Sequence, residues 1–232
     1  MSIRLLARLG AGSGIAYAGL IVVAAQTEPK WPALSGSPRS IGAFIADHPP
    51  TTMQWAGGYL EVLALLAFVV FVAYLWRVLR DAEPHAGWLP GVALCAGLLT
   101  AAIKLASLPA AFAGLYRAKE GISPQLATAL VDMNSVAFAL TWATTALMLA
   151  ATATVALRTG VLARWLGWSG LAIAVALLAS VPFFTADPPT FLLAWLWIIA
   201  VSVALIGRAD TPTVASSTHA SASQPITASA AR

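Results

Sequence analysis

The segment MQWAGGYLEVLALLAFVVFVAYLWRVL, Met53–Leu79, decides the fold class. Between its single acid, Glu61, and its single base, Arg77, no other charged residue occurs. A helix needs about 20 predominantly apolar residues to cross a hydrocarbon core of roughly 30 Å, and this block exceeds that length. Five more blocks qualify or nearly do: Leu9–Ala25, Trp88–Phe112, Leu126–Leu157, Leu162–Phe184 and Pro189–Ile206. The reading is an all-α integral membrane bundle of six transmembrane helices occupying residues 1–208. The second and fourth spans are longer than required, which predicts tilt or helical extension beyond the core.

Composition agrees. Hydrophobic residues make up 59% of the 232-residue chain, charged residues only 9%, and the mean hydropathy is +0.82. A soluble domain is about 45–50% apolar and about 25% charged, so a water-soluble single domain is excluded. The net charge of +4 is spread between apolar blocks with no basic cluster, which argues against a nucleic-acid partner. The expected partners are the lipid bilayer and other membrane proteins or further copies of the chain. The lone Cys95 sits in an apolar run and reads as a small buried packing residue. The three histidines fall outside the spans with no metal-ligand spacing, so no metal and no cofactor are expected.

The first span has Arg4 and Arg8 in front and small residues at Ala24-Ala25, the pattern of a cleaved signal peptide. Gly10, Gly14 and Ala18 recur at four-residue spacing, which lets helix backbones touch and favours a retained helix. With the N-terminus inside, the inner segments carry Arg4, Arg8, Arg77, Arg80, Arg158, Arg164 and Arg208, against Lys30, Arg39, Arg117 and Lys119 outside. The positive-inside rule then puts both termini in the cytoplasm. Ten Arg against three Lys, with abundant Ala, fit a GC-rich bacterial genome, and with the apolar spans the expected location is a bacterial inner membrane.

The one long outer loop, about Gln26 to Thr52, contains a helix start at Ser37-Pro38, followed by Ile41, Phe44 and Ile45 at helical spacing and a stop at Pro49-Pro50. It predicts a short interfacial helix on the outer face. Residues 209–232 are Ala, Ser and Thr-rich, which predicts a disordered cytoplasmic tail.

Three ionisable residues interrupt the spans: Glu61, Lys104 and Asp132. A charge inside the membrane costs about 3 kcal/mol even on the mild insertion scale, so each needs a partner or a role. Counted from the interface anchors Trp55, Phe112 and Leu126, all three lie roughly 9–12 Å below the outer boundary. Gly97, Thr100, Lys104 and Ser107 form one helix face, as do Thr128, Asp132 and Ser135, and Gly57, Glu61 and Ala64. The expectation is a buried Glu61–Lys104–Asp132 cluster, with Asn134, Ser107 and Ser135 as hydrogen-bond partners.

Two segments resemble a known family. GVLARWLGW, Gly160–Trp168, is similar to a cytoplasmic hairpin of bacterial multi-pass proteins grouped as domain-of-unknown-function family 4386 and its relatives. The outer segment FIADHP, Phe44–Pro49, leading into WAGGY, Trp55–Tyr59, is similar as well. The resemblance spans about residues 5 to 208. It implies the six-helix architecture and no catalytic residues. No Ser–His pair or phosphate-binding loop suggests an enzyme. Two functions are expected from this reading: a non-enzymatic protein, structural or accessory to a larger membrane assembly, or a small proton- or cation-coupled transporter using the charged cluster.

Overall fold

The computed structural model describes residues 2–27, 37–48, 51–83, 87–118, 121, 123–183 and 190–210. Among them the chain is all-α: α1 Ile3–Ala25, α2 Pro38–Asp47, α3 Thr52–Ala82, α4 Trp88–Ala118, α5 Pro124–Thr159, α6 Arg164–Ser180 and α7 Thr190–Asp210. A 3-10 turn, Val181–Phe183, closes α6 at Pro182. All but α2 are long and apolar enough to cross a membrane, so the protein is a multi-pass, membrane-embedded bundle.

The helix starts are written in local sequence. Ser37 and Ser123 each cap a helix whose first position is proline, and their side chains accept from the N–H groups of Ser40 and Leu126. Thr51 and Gln54 form a reciprocal capping box at α3. The helices overrun the apolar blocks. α5 has 36 residues, about 54 Å at 1.5 Å per residue. α1 begins six residues before its apolar block, and α7 continues to Asp210, into the segment expected as tail. A backbone already hydrogen-bonded within a helix gains nothing by unwinding at the hydrocarbon edge. The rest of the expected tail, from residue 211, lies outside the described residues, as does Pro49-Pro50.

The six long helices form a closed ring in the order α1, α3, α4, α5, α6, α7, with α7 back against α1. Both described ends, Ser2 and Asp210, lie on one side, here the terminal face; Thr27 and Thr52 lie on the distal face. Small residues set the closest approaches. A Cβ on Gly10 would overlap Tyr74, one on Gly14 would overlap Ser202 and Phe71, and one on Gly97 would overlap Val72. Between α5 and α6, Gly160 takes the left-handed φ of +69° that ends α5, and the turn tucks Val161 and Leu162 into the core.

The ring's outer surface is apolar, as lipid contact requires. Leu66, Val70, Leu99, Leu147, Val175, Leu178 and Val203 are all exposed on it. Trp55, Tyr59, Trp88, Tyr116, Trp165 and Trp168 are exposed near the helix ends, where aromatic belts lie. Cys95 departs from expectation: it faces outward from α4 instead of filling the core. Trp195 and Trp197 are more than apolar filler, since their indole N–H groups donate to Tyr17 Oη and to the Leu166 carbonyl. The interfacial helix α2 docks on α5 through Ile41, which is buried with Ala127, while Phe44 and Val131 pack alongside.

Candidate functional site: an intramembrane ion pair

Glu61 of α3 and Lys104 of α4 meet in the distal half of the bundle. Lys104 Nζ lies 3.2 Å from Glu61 Oε1, and the side chains are 14% and 11% exposed respectively. The same ammonium donates to Asn134 Oδ1 of α5 at 3.2 Å and sits over the Phe138 ring, 5.5 Å from its centroid. Ser107, one turn from Lys104 on α4, donates to the same Asn134 oxygen at 3.0 Å. Four polar side chains from three helices thus converge on one small volume.

Neighbouring residues explain the convergence. Gly57 leaves room for Thr27 at the end of α1, and Gly58 leaves room for Phe112 of α4. Phe112 in turn stacks on Trp55, with centroids 5.2 Å apart and planes 18° from parallel. Both rings lie further toward the distal face than the ion pair, by six residues on α3 and eight on α4. Toward the terminal face the Thr100 hydroxyl meets Thr144 at 2.6 Å and donates to the Ala96 carbonyl at 3.0 Å. Below Phe138 the core continues as an aromatic chain through Phe191, Trp195, Tyr17 and Phe68.

The expected cluster is therefore redrawn. The structure joins Glu61, Lys104, Ser107 and Asn134, and leaves Asp132 and Ser135 outside. Asp132 is half-buried and has no polar partner among the described residues. Helix geometry gives the reason. Asp132 and Asn134 are two residues apart, about 200° around the axis, so they cannot serve the same site. Asn134 takes the inward position and turns Asp132 away. The Ser135 hydroxyl returns to its own helix, donating to the Val131 carbonyl at 3.2 Å. With Asp132 absent, the cluster's formal charge is zero, not −1.

A second ion pair, at the terminal face, escapes the sequence reading. Glu83, the C-cap of α3, is 7% exposed and lies 3.0 Å from Arg158 in the last turn of α5. Its other oxygen, Oε2, is buried without a hydrogen-bond partner among the described residues. Both residues sit at span ends, where charges normally face water, so position alone gave no sign of burial. The available signal was opposite charge at the same boundary of two spans. Among the described residues no three His, Cys, Asp or Glu come together in a way that would hold a metal ion.

Comparison of the chain with protein-family models, with curated proteins and with solved structures finds no match, so the fold and the ion pair stand on the chain's own geometry.

Proposed function

We propose that this chain is a non-enzymatic six-helix protein of a bacterial inner membrane, structural or accessory to a larger membrane assembly. Its intramembrane ion pair clasps α3, α4 and α5 together. The observation that carries this reading is the closure of the site. The Lys104 charge is answered inside the chain by Glu61, Asn134 and the Phe138 face, the pair is neutral, and both of its side chains are largely buried. A buried pair of this kind contributes specificity of packing more than net stability. In this reading the basic residues place both termini in the cytoplasm, and the resemblance to domain-of-unknown-function family 4386 belongs to the same proposal.

Asp132 favours a second reading, a proton- or cation-coupled carrier. A half-buried carboxylate at about the depth of the ion pair, with no partner among the described residues, is the group such a carrier would load and unload. Purified protein in liposomes containing a pH-sensitive dye separates the two readings. A clasp predicts proton flux no greater than in empty vesicles under an imposed pH gradient and potential, unchanged by Glu61→Gln or Asp132→Asn. Flux that either substitution abolishes would overturn the clasp and establish the carrier.

A further inference from the structure

The terminal face holds a cavity that plays no part in the ion-pair site. It has a volume of ≈ 310 Å³ and opens between the ends of α3 and α7 beside the α5–α6 turn. Val78, Val161 and Leu205 line it with apolar surface, and Asp81, Arg208 and the Tyr74 ring supply polar groups. The volume is at the lower end of the roughly 300–1,000 Å³ common for small-molecule sites, and polar and apolar groups share its lining almost equally.

The two charges are separately placed. One Arg208 nitrogen donates to the Val161 carbonyl, fixing the guanidinium to the turn. A guanidinium has five N–H donors, so this anchor leaves others for an oxyanion. Asp81 stands in the last turn of α3, where a carboxylate opposes the negative end of the helix. Its one described ion-pair partner, Arg77, is 4.0 Å away, with both side chains more than 70% exposed, too open an arrangement to satisfy it. The cavity therefore has an oxyanion-seeking side and a cation-seeking side. A purely anionic ligand would be repelled by Asp81, and a purely cationic one by Arg208. A zwitterion satisfies both.

We propose that this cavity binds the headgroup of a phospholipid carrying a primary ammonium, with the phosphate on Arg208 and the Tyr74 hydroxyl and the ammonium on Asp81. The site lies where six membrane spans end, which is the depth of the headgroups. Its apolar walls suit the glycerol and the first methylenes of the chains. A primary ammonium donates hydrogen bonds to a carboxylate; the quaternary ammonium of a choline lipid cannot, so the site distinguishes the two.

The test uses the full chain purified in detergent, with thermal unfolding followed as ethanolamine, choline or glycerol phospholipids of identical acyl chains are titrated in. Native mass spectrometry counts the lipids retained. The ethanolamine lipid is expected to reach half-maximal stabilisation at about tenfold lower concentration than the choline lipid, the worth of one charge-assisted hydrogen bond at a partly exposed site. Asp81→Asn should bring the ethanolamine lipid to the level of the choline lipid. Arg208→Gln should weaken both, and Arg208→Lys should restore the preference. The Asp81 side chain is 74% exposed, so its variant tests the idea without endangering the fold. Equal response to ethanolamine and choline lipids in the unmodified chain, or full preference retained in Asp81→Asn, overturns the proposal. So does a stronger response to the anionic glycerol lipid. Displacement of the lipid by glycerophosphoethanolamine at matched concentration would assign the site to a soluble zwitterion and overturn the lipid assignment.

Discussion

Replacing Lys104 by Met keeps an unbranched side chain only one atom shorter and removes the one cation that Glu61 holds. Glu61 would then carry a carboxylate only 11% exposed, with no counter-charge beside it. Removing one partner of a buried pair costs about 3–5 kcal/mol, most of it the orphaned charge. The lost hydrogen bond to Asn134 adds about 1 kcal/mol. The carboxylate has an escape, since neutralising an ordinary Glu at pH 7 costs about 4 kcal/mol, and this bounds the penalty. The expected loss is about 4–5 kcal/mol, or roughly 8–20 °C in melting temperature for a domain this size. Glu61→Gln in the Lys104→Met background removes the orphan, so the double variant should be more stable than Lys104→Met alone. Asp132→Asn lies outside the network and should add to either within about 0.5 kcal/mol. Reversible unfolding in mixed micelles of the single, double and triple variants measures these terms. Strict additivity of Glu61→Gln and Lys104→Met would refute direct coupling, and strong coupling to Asp132→Asn would refute the redrawn site.

Three further outcomes are expected. Arg158→Met should destabilise by about 1–3 kcal/mol, because Glu83 is buried while Arg158 itself is half-exposed and screened, and adding Glu83→Gln should recover part of the loss in the same assay. Gly14→Ala should cost about 1–3 kcal/mol by overpacking, because the new Cβ would lie 2.2 Å from Ser202 Oγ and 2.7 Å from the Phe71 ring; Gly12→Ala, with open space around it, should be neutral in the same measurement. In a Cys95→Ala background, a cysteine at exposed Asp47 should react with an impermeant thiol reagent in intact cells and one at Ser2 only after permeabilisation; the reverse pattern would invert the topology.

The two ion pairs with a buried carboxylate lie toward opposite ends of the bundle and show different economies. Glu61–Lys104 lies inside the apolar slab, and its polar neighbours are Asn134 of α5 and Ser107 of α4 itself. Glu83–Arg158 lies at the boundary, where Glu83 is covered but Arg158 reaches water, so its charge is partly solvated. The fully buried hydroxyls of Thr152 and Ser202 also lack hydrogen-bond partners among the described residues. The chain tolerates them because small residues such as Gly14 bring the helices close enough to compensate by packing.

The amino-acid sequence by itself determined the six spans, because a backbone in hydrocarbon must satisfy its own hydrogen bonds and only a helix does so within one segment. It also marked the start of α2 at Ser37-Pro38, whereas α3 and α5 begin one and two residues before the apolar blocks read for them, at caps on Thr51 and Ser123. The depth of Glu61 and Lys104 was legible too, since depth is residues counted from an interface anchor. The direction each helix turns its polar face was decided only by the tertiary structure. Asp132 and Asn134 were both plausible partners for Lys104, and the packing of α4 on α5 chose Asn134, because two residues on opposite sides of a helix cannot both face inward. The same holds for Glu83. Its burial depends on α5 ending beside α3, and the outward face of Cys95 depends on which neighbours flank α4. Those are contacts between segments distant in the chain, and no local pattern records them.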